Sequence, residues 1–149
     1  MPRPASLNPT LEKFEYPALL VREFDHWAVT LRRHQATLGA LVLIAKSDAT
    51  AFSDLDTEAF TELGKVTAAI ESTLRTTFAY EKINYLLLMM VDPNVHFHVL
   101  PRYGRALAFE GMEFDDPGWP KTPDLGVGPT LDDEMAGKLI AHLKTGWQG

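Results

Sequence analysis

The sequence predicts a single α+β domain, built as a mainly antiparallel β-sheet with helices packed on it. Short apolar runs rich in β-branched residues occur before residue 46. One long apolar stripe with helical spacing follows, and then two more strand-like runs and a second amphipathic pattern. The resulting order of elements, β-β-β-α-β-β-α, is typical of α+β folds, in which the helices cover a largely antiparallel sheet.

Composition limits the classes of function. The 149 residues are 46% hydrophobic and carry a net charge of −6, which argues against nucleic acid and anionic membranes as partners. The absence of cysteine excludes disulfides, a thiolate nucleophile and a zinc–thiolate site. The N-terminus lacks the apolar region of a signal peptide, and no apolar run is long enough to cross a bilayer. We therefore expect a cytoplasmic protein, with any phosphate-bearing substrate held by a local basic lining.

The N-terminal half is predicted to hold three strands. Residues 1–16 contain three prolines and are expected to form an irregular arm, or a short turn of helix around Leu11 to Phe14. Residues 17–24 and 26–31 are two β-rich runs separated by one aspartate, and the apolar run at 39–45 suits a buried central strand. We place the core domain at 17–110, completed by residues 111–149.

The long helix is predicted over residues 54–80, with Asp56 as its N-cap. Its apolar residues recur every three or four positions, at Phe60, Leu63, Val66, Ile70, Leu74 and Phe78. A strand is predicted over 81–90, and Leu107 to Phe109 is a candidate for a further short strand. Residues 111–129 hold four prolines and four glycines and predict an ordered loop or an arm that covers a partner. A second amphipathic helix is predicted to begin at Thr130 and to end near Thr145.

The stretch from Asp92 to Tyr103, DPNVHFHVLPRY, is the candidate functional site. Side chains two apart on a strand point to the same face. A strand here directs Asn94, His96 and His98 to one face, and the apolar residues Val95, Phe97 and Val99 to the other. The apolar face can be buried, which leaves the polar face for chemistry.

These residues resemble the signature of the histidine triad (HIT) family of nucleotidyl hydrolases and transferases. That signature is His-x-His-x-His-x-x with apolar residues between the histidines, often followed by Leu/Ile-Pro-Arg. Here it is Asn94-Val95-His96-Phe97-His98-Val99-Leu100, followed by Pro101 and Arg102. The order of elements over residues 17–103 also matches the family.

The resemblance implies that His96 attacks the α-phosphate of a purine nucleotide or dinucleotide. His98 would contact the phosphate and the leaving group, and Asn94 would complete the catalytic set. A neutral imidazole is a good nucleophile toward phosphorus, and attack through Nε2 requires an acceptor for Nδ1–H. Arg32, Gln35 and Arg102 are the candidate substrate-binding residues.

Two further arginines, Arg33 and Arg105, are candidates for offsetting the negative charge of the substrate. The resemblance also implies a homodimer. No cofactor and no metal are expected.

Three positions depart from the family pattern. Asn94 replaces the first signature histidine, Ala40 stands where many members have a histidine after Gly39, and Met90 stands where a glutamine is common. His34 or Gln35 are candidates to substitute for these groups. The departures are compatible with a divergent substrate, a slow enzyme or a nucleotide-binding protein.

A metal site is the main alternative interpretation, because paired histidines on one strand face can bind zinc or copper. A cupin-like pattern would place a glutamate a few residues after the second histidine, whereas position 102 is an arginine.

Overall fold

In the computed structural model, which describes residues 7–149, one five-stranded antiparallel sheet organises the chain. Three α-helices, a short 3-10 helix (Phe52–Asp54) and a small hairpin complete the described fold. The strands are β1 (Leu20–Glu23), β2 (Trp27–Leu31), β3 (Leu41–Ala45), β4 (Lys82–Leu86), β5 (His96–Arg102), β6 (Leu107–Phe109) and β7 (Met112–Phe114). The helices are α1 (Pro9–Lys13), α2 (Thr57–Phe78) and α3 (Asp133–Thr145). The α+β class and the mainly antiparallel sheet predicted from the sequence are confirmed.

The strand order in the large sheet is β1-β2-β3-β5-β4, so the histidine-bearing strand β5 has a neighbour on each side. Both of its pairings, with β3 and with β4, are antiparallel. Hydrogen bonding on two sides fixes the register of β5, and therefore the face to which its histidines point. Strands β6 and β7 form a separate hairpin.

One face of the large sheet carries the main hydrophobic core. Helix α2 begins after Asp56, whose side chain accepts a hydrogen bond from the backbone N–H of Ala59 and caps the helix as predicted. The core includes Val66, Ile70 and Leu74 of α2 and Leu139 and Leu143 of α3. Each large apolar side chain of this kind stabilises the fold by about 1.5–3 kcal/mol when fully buried.

The opposite face of the sheet is covered by segments from the two ends of the chain. The N-terminal arm, residues 8–16, packs Leu11 against Val42 and Ile44 of β3. The Pro/Gly-rich segment, residues 115–129, packs Leu125 against Leu100 of β5. The two histidines of β5 lie on this face.

Four sequence predictions of element boundaries are corrected. Strand β4 ends at Leu86 and not near residue 90, because the backbone turns at Met89, where φ is +54°. Strand β5 begins at His96, which leaves Asn94 in a bend before the strand. Strand β7 lies inside the segment predicted to be loop, and the N-cap of α3 is Asp132 and not Thr130.

Among residues 7–149, no helix is both long and apolar enough to span a membrane.

Candidate active site

The two histidines lie at the start of β5 on an apolar floor. His96 is paired with Ile44 of β3, and His98 lies between Val42 of β3 and Leu86 of β4. The imidazole centroids are 5.3 Å apart. The exposed fraction is 2% for His96 and 8% for His98. Two imidazoles therefore share one nearly buried site.

Hydrogen bonding fixes the tautomer of His96. Its Nδ1 lies 2.7 Å from the carbonyl oxygen of Asn94, and a carbonyl can only accept. The proton of the neutral ring therefore resides on Nδ1, and Nε2 keeps its lone pair. No described residue hydrogen bonds to Nε2, so this atom is available as a nucleophile.

His98 has the opposite arrangement. The guanidinium Nε of Arg32, just beyond β2, donates to Nδ1 of His98 at 3.2 Å. Because arginine only donates, Nδ1 carries the lone pair and the proton of the neutral ring resides on Nε2. The pKa of His98 is lowered to about 4, chiefly by burial and to a smaller extent by the charges of Arg32 and His96. His98 is thus a neutral hydrogen-bond donor at neutral pH.

This pKa predicts how the stability of the protein depends on pH. The unfolded chain binds a proton at His98 near its usual pKa of about 6.5, whereas the folded chain binds it only near 4. Between these values the unfolded state holds more protons, so the contribution of His98 to the free energy of unfolding falls as the pH falls. Urea unfolding measures the free energy of unfolding at pH 7 and at pH 4.5. The decrease between the two pH values should be smaller in His98→Asn than in the parent. An equal decrease would contradict the lowered pKa of His98.

Phe14, immediately after α1, lies over both imidazoles. Its ring centroid is 5.6 Å from that of His96 and 5.8 Å from that of His98. The ring shields the pair from solvent and presents an aromatic surface to any ligand that enters.

The side chain of Asn94 is held by the N-terminal arm. Its Oδ1 accepts from the backbone N–H of Thr10 at 3.3 Å and from the Thr10 hydroxyl at 3.0 Å. Its Nδ2 donates to the carbonyl of Asp48. Asn94 therefore contacts His96 through its backbone carbonyl. A catalytic role for its side chain stays a prediction.

Gln35 and Arg102 have their polar groups bound within the protein. Gln35 donates to the carbonyls of Arg32 and Ala40 and accepts from the N–H of Gly39, which ties the β2–β3 loop together. Arg102 lies four residues beyond His98 and forms a bidentate ion pair with Asp116. The structure does not bring either side chain to the imidazoles, and their contact with substrate stays a prediction.

Among the predicted cationic residues, Arg32 contacts the histidine pair. Arg33 forms ion pairs with Glu15 and Asp133, which link the arm to the start of α3. Arg105 lies beside Glu81 and donates to carbonyls at the end of α2. Arg32 also donates through Nη1 to the carbonyl of His34, and burial lowers its pKa below the usual value.

Among the positions that depart from the family pattern, Ala40 is filled by a packing group, whereas Met90 is 84% exposed. Ala40 is fully buried and packs with Ala36 and Leu100, so no polar group replaces the missing histidine there. Nδ1 of His34 lies 3.0 Å from the Thr130 hydroxyl, away from the pair. No group of three or more histidine, cysteine or acidic side chains that could hold a metal ion occurs in the described part of the chain.

Sequence reasoning missed Thr10 and Phe14 as parts of the site. The available signal was the dipeptide Asn8-Pro9, because asparagine is a strong N-cap and proline is favoured at the first helical position. That signal places a helix in the arm, but it does not indicate where the helix packs. The contact with the histidines depends on tertiary structure.

Comparisons with known proteins identify the family and the fold of this chain. The model of the HIT domain family matches residues 13–105. A histidine triad (HIT) protein from Sinorhizobium meliloti has 20% identity and a TM-score of 0.72 over 95% of this chain and 96% of its own. A histidine triad protein from Bradyrhizobium japonicum has 19% identity and a TM-score of 0.70 over 97% and 100%.

A diadenosine triphosphate hydrolase from Plasmodium falciparum is similar at 10% identity, with a TM-score of 0.65 over 88% of this chain and 77% of its own. At these identities the structures establish a common fold. No curated protein sequence matches the chain. Because the family model covers well over half of the sequence and includes the strand with both histidines, the protein belongs to the HIT domain family.

Proposed function

We propose that this protein hydrolyses or transfers the nucleoside monophosphate group of a purine dinucleoside polyphosphate or nucleoside phosphoramidate, through a covalent intermediate on His96. The observation that carries the proposal is the pair of complementary tautomers. His96 has a free lone pair on Nε2, and His98 beside it has a proton on Nε2. The ring of His96 can attack phosphorus while the ring of His98 donates a hydrogen bond to the oxygen on which negative charge develops.

The reaction proceeds in two displacements. Nε2 of His96 attacks the α-phosphorus, a P–N bond forms, and the bond from phosphorus to the leaving group breaks with its electron pair. Water then attacks the same phosphorus, the P–N bond breaks, and the nucleoside monophosphate leaves with the oxygen of the water. In a transfer reaction, an acceptor hydroxyl or amine takes the place of water.

His98 and Arg32 act on the charge of the phosphate. The Nε2–H of His98 donates to a phosphate oxygen or to the leaving atom, and it can do so without being charged because its pKa is about 4. Arg32 adds a fixed positive charge behind His98. In a nearly buried site, such donors stabilise a transition state more than they would in water.

The proposal is tested by trapping the intermediate. Intact-protein mass spectrometry after brief incubation with diadenosine triphosphate, quenched at alkaline pH, should detect an adenylyl adduct. An adenosine phosphoramidate used in parallel distinguishes the two leaving groups. Nucleotide products formed without any adduct, in rapid-quench samples taken across the first turnover, would contradict the covalent route.

The enclosure of the site supports a second candidate, a nucleotide-binding or regulatory protein with little turnover. His96 is 2% exposed, and the ring of Phe14 covers it. In-line attack requires the phosphate to reach Nε2, so turnover requires the ring of Phe14 to swing aside. Micromolar nucleotide binding with neither product nor adduct would favour this candidate.

We also propose that two copies of the chain form a homodimer through the edge of β4. Within residues 7–149 this strand pairs only with β5, and unpaired strand edges tend to associate. The loop that follows exposes apolar side chains, with Leu88 at 46% and both Met90 and Val91 at 84%. Burial of this patch between two copies would remove it from water.

Light scattering at micromolar concentration should give twice the chain mass of 16.6 kDa for the parent. The double variant Met90→Lys, Val91→Lys should shift the mass toward that of one chain. In a dimer of this variant, each chain would bury two charges at the interface. A parent that scatters as a single chain would refute the dimer.

A further inference from the structure

We infer that Asn94, together with Thr10 of the N-terminal arm, is a positioning residue for His96. This inference rests on the proposed function, in which Nε2 of His96 is the nucleophile. Asn94 occupies the place of the first signature histidine of the family. Its side chain sets the tautomer of the nucleophile indirectly, by holding the backbone carbonyl that accepts from His96.

The carbonyl of Asn94 requires such support because it lies outside the sheet. The pairing of β5 with β3 begins at His96, so the peptide group that follows Asn94 lies outside the ladder. Its N–H, that of Val95, donates to the carbonyl of Ala49 at 3.2 Å, which holds the amide end of the group. The carbonyl end can still tilt away from Nδ1 with a small change of ψ at Asn94. The position of this acceptor therefore depends on what holds residue 94.

Thr10 supplies much of that support through a reciprocal pair of hydrogen bonds. The Thr10 hydroxyl donates to Oδ1 of Asn94 at 3.0 Å, and the backbone N–H of Asn94 donates to the same hydroxyl at 3.0 Å. The backbone N–H of Thr10 adds a third bond to Oδ1. Both residues are almost fully buried, at 0% for Thr10 and 3% for Asn94, so water cannot replace these bonds without opening the arm.

An asparagine is suited to this position because it accepts and donates at adjacent atoms. Oδ1 takes both Thr10 donors, while Nδ2 donates to the carbonyl of Asp48 at 3.1 Å. The arm is anchored separately by Asn8, which donates to the carbonyls of Ala45 and Ser47. Residue 94 is thus held between the arm and the β3–α2 connection, with its carbonyl directed at His96.

The test uses threonine variants that keep side-chain shape. Thr10→Val removes the hydroxyl and two of the bonds to Asn94, and Thr10→Ser keeps the hydroxyl. Thr73→Val is the matched control, because Thr73 is also fully buried and its hydroxyl accepts from the N–H of Gln148 far from the site. Asn94→Ala removes all the side-chain bonds of Asn94 at once.

Two quantities are measured in each protein. Nitrogen-15 NMR of histidine-labelled protein without substrate reports which ring nitrogen of His96 carries the proton, with His96→Gln used for assignment. Rapid-quench mass spectrometry reports the rate of adduct formation. We expect a single Nδ1–H tautomer in the parent, in Thr10→Ser and in Thr73→Val.

In Thr10→Val we expect a mixture of the two tautomers, with adduct formation slowed roughly two- to tenfold, as expected for a lost hydrogen bond. A single Nδ1–H tautomer in a folded Thr10→Val or Asn94→Ala variant would overturn the inference. If the parent forms no adduct but Thr10→Val still changes the tautomer, the proposed function fails and the positioning role stands. If the adduct forms and the tautomer does not change, the positioning role alone fails.

Discussion

Replacing His96 with alanine is expected to lower the turnover of a dinucleoside polyphosphate at least about 1,000-fold, since loss of a catalytic nucleophile removes the covalent route. The alanine side chain cannot form the P–N bond, and no other described side chain presents a comparable atom at this place. His98 cannot substitute directly, because its Nδ1 lone pair is occupied by Arg32 and its Nε2 carries the proton. Steady-state release of nucleoside monophosphate measures the effect, and the adduct should disappear with it.

The comparison with two other histidine variants makes this result specific. His98→Asn removes a donor and leaves the nucleophile, so we expect a smaller loss, roughly 100-fold, with the adduct still formed. His26→Ala is the matched control, because His26 lies immediately before β2, on the far side of β3 from β5, and should keep parental turnover. Full activity in His96→Ala would end the covalent mechanism.

The sequence predicted the α+β class and the shared face of His96 and His98 because both depend on local patterns. Alternation around His96 and His98 predicted the shared face, and helical periodicity predicted α2. The acceptor for Nδ1 of His96 was anticipated as a chemical requirement and is met by the carbonyl of Asn94. These features follow from periods of 2 and 3.6 residues, which a single sequence displays directly.

The surroundings of the site could not be predicted in the same way, since they depend on contacts between distant parts of the chain. Thr10 hydrogen bonds to Asn94, which lies 84 residues later in the chain, and Arg32 hydrogen bonds to His98, which lies 66 residues later. Arg102 is the clearest case, because its position in the signature suggested a substrate contact. Its partner in the structure, Asp116, lies in a Pro/Gly-rich segment whose path has no periodic signal.

The second large effect is expected from that ion pair. Replacing Asp116 with alanine should lower the free energy of unfolding by about 3–5 kcal/mol, the usual cost of leaving one member of a buried ion pair without its partner. The side chains of Arg102 and Asp116 are only 4% and 2% exposed. The carboxylate accepts from Nε at 2.6 Å, from Nη2 at 3.0 Å and from the backbone N–H of Tyr103 at 3.2 Å.

Removal of this carboxylate leaves a guanidinium in the interior with Asn84 as its remaining side-chain partner among the described residues. Equilibrium urea unfolding measures the change, and Asp115→Ala is the matched control because the neighbouring aspartate is exposed. Arg102→Met combined with Asp116→Ala should recover part of the lost stability, since the double variant buries no unpaired charge. Surface ion pairs contribute below about 1 kcal/mol. If Asp116→Ala lowers the free energy of unfolding by no more than this, water reaches the guanidinium. The Pro/Gly-rich segment is then not held by this ion pair.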